Sequence, residues 1–198
     1  MKIYCLGDSL TEGDYGIRDK KGVSDIRSEN YPYFLHQLTG AEVVNCGRCG
    51  FNVSEYLQYY ELGYVQFQNA DIIIILLGTN GGLDPERDTS GNEAYRKLVR
   101  LCKQDAPQAK IYLCTPPHAT EDPEQTNYGY AQQVKRGVGF VRKLAEENRV
   151  RLIDLACCEA FSAENEHIMQ PNDGLHFGLI GYQTMAGYIY NALNSDIL

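Results

Sequence analysis

Long hydrophobic runs are missing from this chain. The longest, residues 72–77, falls far short of the roughly 20 apolar residues a membrane helix needs, so no membrane span is expected. Positive charge is scarce: 18 Lys and Arg stand against 26 Asp and Glu, for a net charge of −8. That argues against a general nucleic-acid binder, which needs a basic face, and weakens any pull toward anionic membranes. Low-complexity tracts and internal repeats are also missing. The first strand starts at Lys2, so nothing ahead of it reads as a secretory leader, and the cytoplasm is the expected compartment. Histidine is rare, with only His36, His118, His167 and His176 available for proton chemistry.

Cysteine is plentiful but poorly spaced for metal. Cys46-Gly-Arg-Cys49 has the C-x-x-C spacing, a weak zinc or redox signal when alone, and Cys157-Cys158 are adjacent. Most of the seven lie in or beside apolar runs and read as reduced structural thiols. No metal and no cofactor is expected.

Short apolar runs alternate with helical spacings. Strands are predicted at 2–6, 41–45, 71–77, 110–114 and 150–155. The third is a continuous β-branched run, as in a strand buried on both faces, and so the expected sheet centre. Helices are predicted at 30–40, 53–62, 91–105, 125–148 and 181–193, the fourth of them interrupted by Gly137 and Gly139. Residues 11–29 are polar and longer than a usual connection. They are expected to wall a site or to open with a short helix. Strands alternating with helices imply right-handed crossovers and a parallel sheet covered on both faces. The expected fold is α/β: a three-layer α/β/α sandwich, one domain over 1–198, with a five-stranded doubly wound sheet in the order 2-1-3-4-5. That order brings Ser9, Gly50 and Asn80, each just past a strand, to one rim.

A serine at such a rim needs a base to become a nucleophile. Asp173 and His176 are three residues apart, a spacing that can set a carboxylate against Nδ1 and leave Nε2 free for Ser9. The Ser9 and Gly50 N–H groups and the Asn80 amide can serve as donors to a developing oxyanion. The remaining candidates read more plainly. His36 reads as helix structure, and His118 and His167 as solvent-exposed loop residues. Asp8 reads as a turn former rather than a second acid, and Arg48 as a solvated loop cation. The fifteen tyrosines read as filling for helix–sheet seams.

Gly7-Asp8-Ser9-Leu10, a glycine after the second strand, Gly78-Thr79-Asn80, and Asp173-Gly174-Leu175-His176 together resemble the blocks of the GDSL/SGNH hydrolase superfamily, in that order across nearly the whole chain. The resemblance implies a metal-free triad: Ser9 as nucleophile, Asp173 as orienter and His176 as base, with Ser9, Gly50 and Asn80 forming the oxyanion hole. The family's glycine lies a few residues past the Asn that ends the strand, which favours Gly50 over Gly47. One departure stands out: Gly81 follows Asn80 where the family commonly has Asp, which puts the bracing of that loop in question. The expected activity is a serine esterase acting on a small-molecule ester, with short acyl groups such as O-acetyl on carbohydrates as the favoured substrate. A lysophospholipase or acyl-thioesterase is the alternative within the superfamily. A non-catalytic binding module on the same fold is the alternative outside it.

Overall fold

The computed structural model describes residues 1–197, with side chains described through Leu193. The chain runs β1 (Lys2–Gly7), α1 (Ser9–Glu12), β2 (Asp14–Arg18), β3 (Ser24–Ile26), α2 (Tyr31–Thr39), β4 (Glu42–Gly47), α3 (Val53–Glu61), β5 (Ile72–Leu76), α4 (Ser90–Asp105), β6 (Lys110–Cys114), α5 (Ala131–Asn148), β7 (Arg151–Ile153), α6 (Glu166–Met169) and α7 (Leu179–Ile197). Five strands form one parallel sheet in the order β4-β1-β5-β6-β7. Counted within that sheet, this is the expected 2-1-3-4-5. Gly7 stands level with Gly47 on one side and with Leu76 on the other, so three strand ends share one edge.

Side chains alternate across a strand, and the two faces bury different sets. Ile73 and Ile75 pack with Tyr56, Leu98, Phe140 and Leu144 on the face covered by α3, α4 and α5. Ile72 and Ile74 pack with Tyr31, Leu35, Met185 and Ile189 on the face covered by α2 and α7. Every residue of β5 is buried, as its β-branched run predicts. Tyr31, Tyr56, Tyr95, Tyr112 and Tyr182 are fully enclosed in these seams.

Local signals set the helix ends. Asn30 caps α2 through Oδ1 to the Tyr33 N–H, Pro32 lies in its first turn, and Gly40 closes it with a positive φ. Asn52 and Glu55 form a reciprocal capping box on α3. The fourth predicted helix starts later than expected, at Ala131, because residues 128–130 form a single 3₁₀ turn. Just ahead of that turn, the Asn127 amide donates to the Asp173 carbonyl, 3.3 Å away. Gly137 does not break α5; a Cβ there would come within 2.8 Å of the Gly78 carbonyl, so glycine lets the helix lie against the loop after β5.

Residues 11–29 hold more than a loop. They complete α1 and then form the two-stranded antiparallel hairpin β2–β3. Its turn is tied by Asp19 Oδ1, which accepts from the Lys21 and Val23 N–H groups at 2.8 Å each.

Candidate active site

Ser9 sits at the first position of α1, immediately past β1. Asp8 caps this turn through Oδ1 to the Leu10 N–H (3.0 Å), and Gly13 ends it in the left-handed region. Gly7 permits the sharp exit: a Cβ there would meet Thr11 Oγ1 at 2.0 Å and the Leu76 carbonyl at 2.6 Å. Asp173 and His176 come from the turn before α7. Gly174 has φ +72° and lies against Thr120, whose Cβ is 2.5 Å from where a glycine Cβ would be. Only a residue without a side chain fits there.

The structure brings the first three predicted residues together. His176 Nε2 lies 2.9 Å from Ser9 Oγ, and His176 Nδ1 lies 2.7 Å from Asp173 Oδ2. Asp173 Oδ1 accepts the Leu175 and His176 N–H groups at 3.1 and 2.8 Å. The carboxylate is therefore fixed by its own turn and in turn fixes the ring. All three side chains are nearly buried. Burial works to raise the Asp173 pKa, but its bonds to the His176 ring and to the two N–H groups prevail and hold it below the usual value.

The donors implied for an oxyanion lie at the same sheet edge. The end of β4 and the loop after it are pinned to β1 and α1: Arg48 N–H donates to the Gly7 carbonyl (2.9 Å), Asn45 Nδ2 to the Thr11 carbonyl (2.8 Å), and the Cys49 N–H to Glu12 Oε2. Gly47 is buried, and a Cβ there would come within 2.2 Å of the Glu12 nitrogen, so it serves packing. Gly50, with φ +79°, is exposed, and its N–H has no partner among the described residues. Asn80 Nδ2 donates one hydrogen to the Phe51 carbonyl at 3.0 Å, which leaves its second N–H for another acceptor. Gly50 and Asn80 share an open cleft of about 470 Å³ with Thr126, Gly129, Tyr130 and Gln133.

The residue after Asn80 has a structural reason to be glycine. Gly81 has φ +78°, and a Cβ there would lie 2.7 Å from Gln133 Oε1. Gln133, on α5, donates Nε2 to the Thr79 carbonyl at 3.0 Å. An amide from a helix thus ties this loop where a neighbouring carboxylate is missing.

Other candidates fall in varied places. Asp8 is a capping residue, as expected. It is fully buried, and burial pushes its pKa up to about 6. Its Oδ2 and the neighbouring Thr79 Oγ1 are both enclosed, and the Leu10 N–H and the Thr79 hydroxyl oppose the effect of burial only in part. His36 is exposed on α2 and bonds the Ala41 carbonyl, and His167 is exposed. His118 departs from expectation: it is largely covered and pairs with Glu166 at 2.9 Å, because α6 folds over it. Arg48 departs too. It stacks 4.8 Å over the Tyr59 ring, donates to the Tyr59 hydroxyl at 2.5 Å, and lies 3.5 Å from Glu12. Cys46 and Cys49 are free thiols, and no group of His, Cys, Asp or Glu among the described residues is arranged to hold a metal ion.

One residue at the site was not singled out from the sequence. Asp14, at the start of β2, is completely buried and places Oδ2 3.7 Å from His176 Nε2. The signal for it in the sequence is Asp19-Lys-Lys-Gly22, a turn pattern that divides residues 11–29 into two strands.

The GDSL-like lipase/acylhydrolase family model matches residues 5–184. The chain belongs to that family, and with it to the carboxylic ester hydrolases. Solved structures share the fold. A Mycobacterium smegmatis aryl esterase is 20% identical with a TM-score of 0.76, covering 98% of each chain. Est24, a carbohydrate acetylesterase from Sinorhizobium meliloti, is 19% identical with a TM-score of 0.76 and the same coverage. A lipase/acylhydrolase from Enterococcus faecalis is 20% identical with a TM-score of 0.72, covering 98% of this chain and 96% of its own. No curated protein matches. Among the described residues, no helix is long and apolar enough to cross a membrane.

Proposed function

We propose that this esterase works through an acyl-enzyme on Ser9, with His176 as base, Asp173 as orienter, and an oxyanion hole made by the Ser9 and Gly50 N–H groups and the Asn80 amide. The carrying observation is the unbroken path from Ser9 Oγ to His176 Nε2 (2.9 Å) and from His176 Nδ1 to Asp173 (2.7 Å). With Nδ1 donating to Asp173, Nε2 presents its lone pair to the serine hydroxyl. Ser9 Oγ attacks the ester carbonyl carbon, and its proton passes to Nε2. The carbonyl oxygen takes up negative charge, which the N–H donors meet. The imidazolium returns its proton to the departing alcohol. Water then repeats the sequence against the acyl-serine and frees the acid. The exposed N–H of Gly50, beside the Asn80 amide, supports it over buried Gly47 as the second donor.

We infer a short acyl group, with O-acetyl esters of carbohydrates as the favoured substrate. Support comes from the cleft beside Asn80, which is open and lined by Gly50, Thr126, Gly129, Tyr130 and Gln133, with no aliphatic side chain among them. Such a surface suits a hydroxyl-rich alcohol better than an alkyl chain. The substrate reading rests on that cleft, since a likeness at 19% identity to Est24 carries the fold alone. The cytoplasm remains the proposed compartment, in keeping with seven free thiols. The test is a p-nitrophenyl ester series from acetate to dodecanoate, run beside acetate release from acetylated xylo-oligosaccharides. The highest kcat/KM is expected on acetate, with measurable acetate release from the sugar. Rates that climb with chain length would instead assign a lysophospholipase or acyl-thioesterase.

A further inference from the structure

The geometry points to Asp14 as a second carboxylate for the His176 ring: a positioning residue that steadies the protonated imidazole while Ser9 is acylated. This inference rests on the triad reading above. The two oxygens of Asp14 have unlike surroundings. Oδ1 accepts from the Gly16 N–H and from Arg18 Nη1, each at 2.9 Å. Oδ2 accepts only the weak Sγ–H of Cys49, at 3.3 Å, among the described residues, and it is this oxygen that faces His176 Nε2 at 3.7 Å. A fully buried carboxylate oxygen without a strong donor is costly. The group that answers this oxygen's charge is the ring itself: with Nδ1 bonded to Asp173, a proton on Nε2 makes the imidazole a cation 3.7 Å away.

The hairpin holds this arrangement in place. The Asp14 carbonyl accepts the buried Tyr182 hydroxyl at 2.7 Å, and Asn172 Nδ2 donates to the Tyr15 carbonyl at 2.7 Å. Gly16, with φ +71°, lies directly on the Asp173 carboxylate, where a Cβ would come within 2.6 Å. Thus β2 closes over both carboxylates at once.

The proton appears on Nε2 during acylation. As the Oγ–C bond forms and the carbonyl π pair moves to oxygen, the Oγ proton moves to Nε2. The new N–H serves the ester's leaving oxygen, while Asp14 Oδ2 stands 3.7 Å from the same nitrogen. Asp14 takes no proton; it stays ionised and opposes the ring's positive charge from 3.7 Å. When the C–O bond breaks, the proton leaves with the alkoxide, and Oδ2 again faces a lone pair. An attraction present only in the charged state favours the transition state over the ground state.

The charged and titratable groups around the ring are Asp173 from its own turn, Asp14 from β2 and Asp8 from the end of β1. Arg18, Cys49 and Tyr182 act on Asp14 rather than on the ring. Burial works to raise the Asp14 pKa, but the His176 ring, Arg18, the Gly16 N–H and Cys49 together hold it below its usual value, so it is ionised at neutral pH.

The test is the pH dependence of kcat/KM in Asp14→Asn and Arg18→Gln, with thermal melts of both. Asp14→Asn keeps the shape and removes the charge. Its acid limb should move to lower pH by about one unit, the low end for an opposite charge within ~4–6 Å, and its plateau should fall about tenfold. Arg18→Gln leaves Asp14 charged and removes its counter-ion, so its acid limb should move to higher pH. Arg18 is well exposed, and this variant keeps the question open to test if Asp14→Asn fails to fold. Acid limbs that stay at the wild-type pH in every variant that folds would overturn the proposal and leave Asp14 as a hairpin anchor. A wild-type enzyme with no acid limb and no reactive serine would overturn the triad reading itself.

Discussion

Gln133 on α5 donates its side-chain amide to the carbonyl of Thr79, 3.0 Å away, and so fastens the loop that presents Asn80. Gly78, Thr79 and Asn80 follow β5, and the helix reaches them because Gly137 lets it approach the Gly78 carbonyl. Gly81 completes the arrangement with a positive φ that leaves room for Gln133 Oε1. If Asn80 is an oxyanion donor, its aim depends on this brace. Gln133→Ala should therefore lower kcat roughly tenfold to a hundredfold, as small misplacements of catalytic groups do, with KM nearly unchanged. Steady-state kinetics on p-nitrophenyl acetate decides; a variant with wild-type kcat would mean that the loop holds itself.

Asn80→Ala removes the proposed donor itself. A loss of about a hundredfold or more in kcat is expected, in line with single oxyanion-hole donors elsewhere, while the melting temperature changes little. A fall in substrate affinity alone would give Asn80 a binding role instead.

Asp8 should make the enzyme less stable as pH rises. It ionises near 3.8 in an unfolded chain but only above about 6 when folded. Its share of the stability is complete below the lower value and is lost as pH climbs through the upper one. Asn at this position keeps an oxygen for the Leu10 N–H and carries no charge. Asp8→Asn should be more stable than wild type by roughly 2 to 3 kcal/mol at pH 8, with the gap closing below about pH 4. Urea unfolding at the two pH values measures this; an equal gap at both would show that the carboxylate is not the cause.

Much of the fold could be read from residue pattern. The β-branched run within 71–77 marked the sheet centre, and the helices expected at 30–40 and 53–62 lie within a residue of α2 and α3 at each end. The hairpin was not read because β2 and β3 are short and partly polar, so no clear period of two survives. With it went Asp14, whose place beside His176 depends on a fold-back across 162 residues of sequence. Ser9, Asp173 and His176 were legible because each sits in a tight turn with obligatory small neighbours, Gly7 and Gly174. Gln133 was not, since a glutamine on a helix gives no sign in sequence of the carbonyl it will meet.

The proposed chemistry turns on one hydroxyl near the chain's start being made reactive by an imidazole near its end. Incubation with a fluorophosphonate, followed by peptide mapping, reads this directly. One equivalent of label is expected on Ser9 in the wild-type enzyme, and none in Ser9→Ala or after mild acid has protonated the base. Label on any other residue, or a wild-type enzyme that hydrolyses esters while Ser9 stays unmodified, would contradict it.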